Sequence, residues 1–354
     1  MKNTNRIESI DWLRGLMALS IMLYHYTGAF VLSLDSGSTL GRLGIYGVSI
    51  FFILSGLSMA IVYNKYIRDI KTAVCFFIRR IFRIWPLLWM VAFMLVLISI
   101  LFQNEPYSIS MVILNITTLF GFINPSAYMA TGAWSIGNEM VYYIFTPLII
   151  VLYNRKKLYG NLFFLFTLII GIYFSQFVLS PTNSLNNQWH YYINPFNNLY
   201  LYVSGIAIFY NLKSINLNVH IINILLFSSC IVFVFAPFEG DQINITTGIG
   251  RAVFSILSIS IVIAFYKLNI KLPQYIGYQF EQLGCATYSV YLLHPIVSSV
   301  NIVLFSRLLH LSNPIFLFVL STIFTITISL ISYKYFETPF INLGKRLTSS
   351  RRAN

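Results

Sequence analysis

Residues 10–33 read IDWLRGLMALSIMLYHYTGAFVLS. A run of about 20 apolar residues is enough to span a bilayer as a helix. Two ionisable side chains interrupt this one, Arg14 and His25. Such groups are expensive inside a membrane and mark a functional site by default. At 100° per residue the two lie about 20° apart around the helix and about 16 Å apart along it. Arg14 is therefore expected near one membrane surface and His25 deep, past the middle. Arg14 alone would read as a snorkelling anchor paired with Asp11, and His25 alone as a core imidazole bonded to a neighbouring helix. Both on one face suit a site that takes a charged reagent from one side and performs acid–base chemistry far from it.

The rest of the chain fits that setting. Its 354 residues are 57% hydrophobic and only 9% charged, with a mean hydropathy of +0.75, where a soluble protein carries about 25% charge. The net charge of +13 is read by position, because basic loops of membrane proteins report orientation. No basic run with interleaved aromatics suggests nucleic acid. Cys75, Cys230 and Cys285 are scattered, and His190, His220 and His310 stand alone near segment ends, so neither a disulfide frame nor a metal site is expected. The N-terminal apolar run reads as a retained helix, since Arg14 and His25 interrupt it and no small-residue cleavage site follows.

Further apolar stretches run near 44–63, 84–102, 134–153, 161–179, 198–212, 219–237, 249–267, 284–307 and 313–336. Another, 108–123, is short and holds Asn115, Thr117 and Thr118. Lys2, Arg6 and Arg14, the loop from Lys65 to Arg83, Arg155–Lys157, Lys213, Lys267, Lys271, and the tail with Lys345, Arg346, Arg351 and Arg352 are basic. The intervening loops hold Asp35, Glu105, Glu239 and Asp241. All basic loops fall on one side only if 108–123 does not cross. The expected fold is thus all-α and polytopic: ten transmembrane helices, both termini cytoplasmic, and 108–123 re-entrant or lying near the outer face. Residues 1–345 form one membrane-embedded domain and 346–354 a basic tail. Irregular backbone at depth is tolerated only where it lines a protein cavity, so 108–123 is expected beside a site.

Three more motifs carry polar chemistry, and a fourth reads as packing. Arg79, Arg80 and Arg83, in RRIFRIWP, stand at the expected cytoplasmic start of the third span; they fix orientation, and forked guanidinium groups also suit a polyphosphate. In WSIGNEMVYY, opening the fourth span, Ser135, Glu139 and Tyr143 share a face behind Trp134. Glu139 is expected to point inward, orienting an imidazole or binding a hydroxylated acceptor. Tyr288, Tyr291 and His294 in the ninth span read as a hydrogen-bond network with Pro295 kinking the helix, or as a second polar wall of the cavity. Gly47 to Gly56 read as close helix packing.

In this order, Arg14 with His25, Gly47–Gly56 with Phe51-Phe52, Arg79–Pro86, Trp134–Tyr143, Tyr288–His294 and the closing Glu337-Thr338-Pro339 resemble acyltransferase family 3. These are integral-membrane enzymes that decorate bacterial surface sugars. The likeness covers about residues 10 to 340. Gly137-Asn138 depart from the family's usual pattern. Longer members add an extracytoplasmic esterase-like domain; this chain resembles the stand-alone form. The resemblance implies acetyl-CoA, or another acyl-CoA, as a cytoplasmic co-substrate with no bound cofactor. It implies an acceptor hydroxyl on a cell-surface glycan or lipid-linked saccharide, and a place in the bacterial inner membrane. It also implies His25 and Arg14 as the essential pair and Arg80 and Arg83 as arginines that hold acyl-CoA. His25 would act as a general base or through an acyl-imidazole. A transporter or flippase would also use intramembrane His and Arg, but no internal pseudo-repeat is present. A glycan polymerase would carry larger outer loops than 180–197.

Overall fold

The computed structural model describes residues 7–103, 106–268, 270 and 272–349. Lys2, Arg6, Glu105, Lys271, Arg351 and Arg352 lie outside them. Among the described residues every regular element is helical: α1 (Glu8–Phe30), α2 (Thr39–Tyr63), α3 (Ile70–Ile98), α4 (Ile109–Ile116), α5 (Phe120–Ile123), α6 (Trp134–Arg155), α7 (Lys157–Tyr173), α8 (Trp189–Tyr192), α9 (Pro195–Leu212), α10 (Val219–Phe235), α11 (Ile243–Thr246), α12 (Gly248–Lys267), α13 (Gln274–Cys285), α14 (Thr287–Asn301), α15 (Pro314–Ser332) and α16 (Thr338–Ser349). Among the described residues seven helices are long and apolar enough to cross a membrane by themselves. The others expected to span are α10, which is shorter, and α1 and α9, whose stretches are broken by Asp11 and Arg14 and by Asn197 and Asn198. Phe166 on α7, Phe227 on α10 and Ile323 on α15 face outward, as lipid-facing side chains do.

The bundle has a basic end and an acidic end. Ser9 donates to the Phe265 carbonyl at 2.6 Å, Asn154 to that of Asn64 at 2.8 Å, Lys267 to that of Ile215 at 2.8 Å, and Arg79 to Thr348 Oγ1 at 2.7 Å. These bonds gather the start of α1, the loop after α2, the start of α3 and the ends of α6, α9, α12 and α16. At the opposite end the Ser36 N–H donates to the Gly240 carbonyl at 2.9 Å, and the Leu185 N–H to Asp241 Oδ1 at 2.8 Å. Arg42, 2% exposed, sits there at the start of α2. Its guanidinium donates to the carbonyls of Ser36, Phe233, Val234, Ala236 and Phe238 at 2.6–2.9 Å. A cation at the C-terminal end of α10 satisfies carbonyls that the helix leaves unpaired and complements its dipole.

Three boundaries differ from the sequence expectation. Helix α3 starts at Ile70, not near 84, because Asp69 and Thr72 form a reciprocal N-terminal cap. This draws Arg79, Arg80 and Arg83 into the helix body instead of leaving them before it. The expected span 284–307 is broken at Ala286: α13 ends at Cys285 and packs along α1, and α14 begins at Thr287. A Cβ on Gly284 would stand 2.2 Å from the Asp11 carbonyl oxygen, so the break follows from backbone-to-backbone packing there. The last span continues through a π-helical turn, Tyr333–Glu337, into α16, so the basic stretch begins inside a helix that holds Arg346.

Residues 108–123 do not cross. An eight-residue helix such as α4 covers only about 12 Å. It descends along α3, where Trp89 Nε1 donates to the Ile116 carbonyl at 2.6 Å and Trp85 Nε1 to Thr118 Oγ1 at 3.3 Å. Thr118 has φ +60° and turns the chain into α5. Asn115 ties the returning chain down, donating to the Ala127 carbonyl at 2.7 Å and accepting from the Met129 N–H at 2.9 Å. The short helices fit the expected re-entrant or outer-face segment, and its polar residues make the turn.

The Gly47–Gly56 run packs as expected. A Cβ on Gly56 would fall 1.9 Å from the Tyr202 carbonyl oxygen of α9, and one on Gly205 2.0 Å from that of Ile53. Gly56→Ala must push α2 and α9 apart, an overpacking cost of about 1–3 kcal/mol or more. The expected result is lower yield and a lower Tm in detergent, whereas Gly28→Ala, in open space, should match the wild type.

Candidate active site

At the acidic end a cavity of about 250 Å³ opens between α1, α2, α6, α14 and the loops around Leu185 and Asp241. His25 lines it, with an aromatic wall of Tyr24, Tyr128, Trp134, Trp189, Tyr192 and Tyr291. Trp134 meets Trp189 edge to face at 5.7 Å. Among the described residues no hydrogen bond engages either ring nitrogen of His25, so its polar edge is free for a substrate.

Behind His25 stands His294, 1% exposed. The two rings stack with centroids 5.2 Å apart and 28° between planes. His294 Nδ1 lies 3.1 Å from the Val290 carbonyl oxygen; a carbonyl only accepts, so Nδ1 carries the proton. Its Nε2 has no partner among the described residues. Tyr26 donates to the His294 carbonyl at 2.8 Å and lies 2.6 Å from Thr325 Oγ1, which fixes the backbone of α14 against α1 and α15.

The cavity floor is a knot of three groups. Tyr291 donates to the Gly132 carbonyl at 2.9 Å and lies 2.8 Å from Ser135 Oγ. Gly132 has φ +84°, and a Cβ there would stand 3.1 Å from the Tyr291 hydroxyl. Glycine thus permits both the turn and the close approach.

Below that floor a second polar region runs toward the basic end of the bundle, between α1, α2, α3 and α6. Arg14 donates to Asp11 at 3.0 Å and to Ser58. Three residues earlier on α2, Ser55 donates to Glu139 and lies 3.5 Å from the Tyr143 hydroxyl. Arg80 donates to the Tyr63 hydroxyl at 3.1 Å, and its guanidinium lies 5.4 Å from the Tyr63 ring centre and 5.9 Å from that of Tyr143. Arg83 is within electrostatic reach of Tyr288 and Glu337. Tyr288 donates to the Ile84 carbonyl at 2.8 Å, and Glu337, 2% exposed, accepts from Ser289.

The expected site residues therefore divide into two groups. His25, Trp134 and Tyr291 line the cavity, Ser135 closes its floor, and His294 backs it. Arg14, Glu139, Tyr143 and Arg80 share the lower region, with Tyr288 and Arg83 beside it, and none of these lines the cavity. Glu139 accepts from Ser55 and forms no hydrogen bond or ion pair with His25 among the described residues. Arg79 turns away, bonded to Thr348 and 4.7 Å from the Tyr66 ring centre.

The sequence profile described as "Acyltransferase domain" matches residues 7–334, nearly the whole chain and every motif in both groups. The chain belongs to acyltransferase family 3. No curated protein and no solved structure matches it. As a family member it is a multi-pass membrane acyltransferase.

Several residues of this candidate site do not stand out in the sequence. Ser55 and Ser58 sit within or beside a small-residue run that reads as packing, although their i, i+3 spacing on one face is a visible signal. Asp241 and Gln242 line the cavity, but along the chain Asp241 reads only as a loop charge. Trp189 and Tyr192 belong to the loop 180–197, where no single residue is conspicuous.

Proposed function

We propose that this acyltransferase moves an acyl group, acetyl in the first instance, from acyl-CoA to a hydroxyl of a cell-surface glycan or lipid-linked saccharide. The observation that carries the reading is that His25 lines an aromatic cavity at the acidic end while Arg80 and Arg14 stand toward the basic end of the same bundle. The positive-inside rule puts the basic end, with both termini, in the cytoplasm of a bacterial inner membrane. Arg80, with Arg83 beside it, then receives the phosphates of acyl-CoA, guanidinium forks matching phosphate oxygens. The pantetheine arm passes the polar groups of Ser58, Ser55 and Glu139 and parts the floor made by Tyr291, Ser135 and Gly132. In the cavity, neutral His25 takes the proton of the acceptor hydroxyl as its oxygen attacks the thioester carbonyl. The new C–O bond forms, the C–S bond breaks, and the departing thiolate recovers the proton as free CoA thiol. His294, stacked behind, holds the His25 ring in register. Glu139, on Ser55, belongs to the donor's path rather than to the imidazole.

Radiolabel from acetyl-CoA should appear on polysaccharide in membranes containing the protein, and NMR of the surface glycan should show an O-acyl group only in cells that make it. Unlabelled glycan in both experiments would end the reading. Arg80→Ala should raise KM for acyl-CoA about 10–100-fold, the worth of one charge-assisted contact, with Arg80→Lys in between. Arg79→Ala should leave KM within a few-fold, because that side chain is committed to Thr348 and Tyr66.

A further inference from the structure

The loop before α11 brings a carboxylate to the mouth of the His25 cavity. Asp241 Oδ1 accepts two backbone hydrogen bonds, from the Leu185 N–H and the Ile243 N–H, each at 2.8 Å. This joins the loop that carries Trp189 to the loop that carries Gln242. Among the described residues Oδ2 accepts none, and Asp241 is exposed at the rim. Beside it Gln242 donates to the Gly41 carbonyl at 3.2 Å, while its Oε1 is buried with no partner. Asn186 completes the polar rim.

The charge balance of the cavity is one-sided. Of the described residues that line it, Asp241 carries a charge, and no lysine or arginine is among them. Asp35 and Glu239 on the same loops are within electrostatic reach of Arg42, which does not line the cavity, whereas among the described residues no ion pair is formed by Asp241. Aromatic faces with hydrogen-bonding oxygens at one edge match a ring that is apolar on its faces and hydroxylated at its rim. A like charge brought against an uncompensated one costs several kcal/mol.

From this we infer that the cavity binds an uncharged sugar ring, that Asp241 Oδ2 and Gln242 Oε1 accept hydrogen bonds from its hydroxyls, and that Asp241 is the residue that rejects anionic sugars such as uronates. The inference rests on the acyl-transfer reading for the chemical step after the sugar is seated, but the binding itself can be measured separately. Asp241→Asn keeps Oδ1 for both backbone N–H groups while it removes the charge and turns Oδ2 from an acceptor into an N–H donor, so it guards against simple loss of the loop.

The test uses the full chain in lipid nanodiscs and two oligosaccharide series of equal length, one neutral (gluco-oligosaccharides) and one of oligo-uronates. Binding is read by quenching of tryptophan fluorescence, with Trp189→Phe reporting that the signal comes from this cavity. The wild type should bind the neutral series at least about tenfold more tightly. Asp241→Asn should bring the two series close together, and Asp241→Lys should favour the uronates. Equal or tighter binding of uronates by the wild type, a preference unmoved in both variants, or quenching by neither series would overturn the inference. A second arm adds radiolabelled acetyl-CoA. Selective binding with no label transferred would uphold this cavity assignment and sink acyl transfer instead.

Discussion

Replacing His25 by alanine is expected to abolish acyl transfer, and His25→Gln should do the same. Glutamine keeps polar atoms near the position of the ring nitrogens but cannot take a proton at neutral pH. The loss should be about 10²–10⁴-fold, the worth of a positioned general base, with KM for acyl-CoA little changed because the arginines lie in the other polar region. The fold should survive. Among the described residues the His25 ring nitrogens hold no other side chain in place, so both variants should reach the membrane at wild-type levels with a Tm close to the wild type. Activity within tenfold of the wild type in either variant would remove His25 from the chemistry.

The second large effect is on stability. Arg42→Met keeps much of the side chain's bulk and removes all its donors, leaving five carbonyls, four of them at or after the end of α10, without that partner. Each buried acceptor left unsatisfied costs about 1–3 kcal/mol. Allowing for relaxation, a total of about 3–5 kcal/mol is expected, seen as a Tm lower by several degrees in a thermal-shift experiment in detergent. Arg42→Lys should recover only part of this, since an ammonium cannot span carbonyls on both sides of a planar fork. A Tm for Arg42→Met equal to the wild type would mean that water satisfies those carbonyls equally well.

What the sequence discloses tracks the range of the forces involved. The helical character, the depth of His25 relative to Arg14 and the failure of 108–123 to cross all depend on hydropathy, periodicity and charge along one chain, and these are legible. So is the packing role of Gly47–Gly56. The early start of α3 is signalled by Asp69 and Thr72 at capping spacing, but the eye follows the apolar run, and the basic residues before Ile84 disguise the helix. The break at Ala286 depends on Gly284 touching the backbone of α1, a contact between segments more than 270 positions apart. The stacking of His25 on His294, the separation of Glu139 from His25 and the meeting of Asp241 with Leu185 are likewise tertiary facts. No local pattern encodes them.

The bond from Arg14 to Ser58 has a consequence for how the chain enters the membrane. On biological insertion scales an Asp or Arg costs up to about 2.5–3.5 kcal/mol, the value at the centre of a helix, and α1, which carries Asp11 and Arg14, is less apolar than α2. Helix α1 is therefore poorly suited to leave the translocon alone. Its natural companion is α2, which comes next in the chain, is highly apolar, and supplies the serine that Arg14 needs. The two would partition into lipid as a hairpin, so the helix bearing His25 depends on its successor for biogenesis before it depends on it for shape.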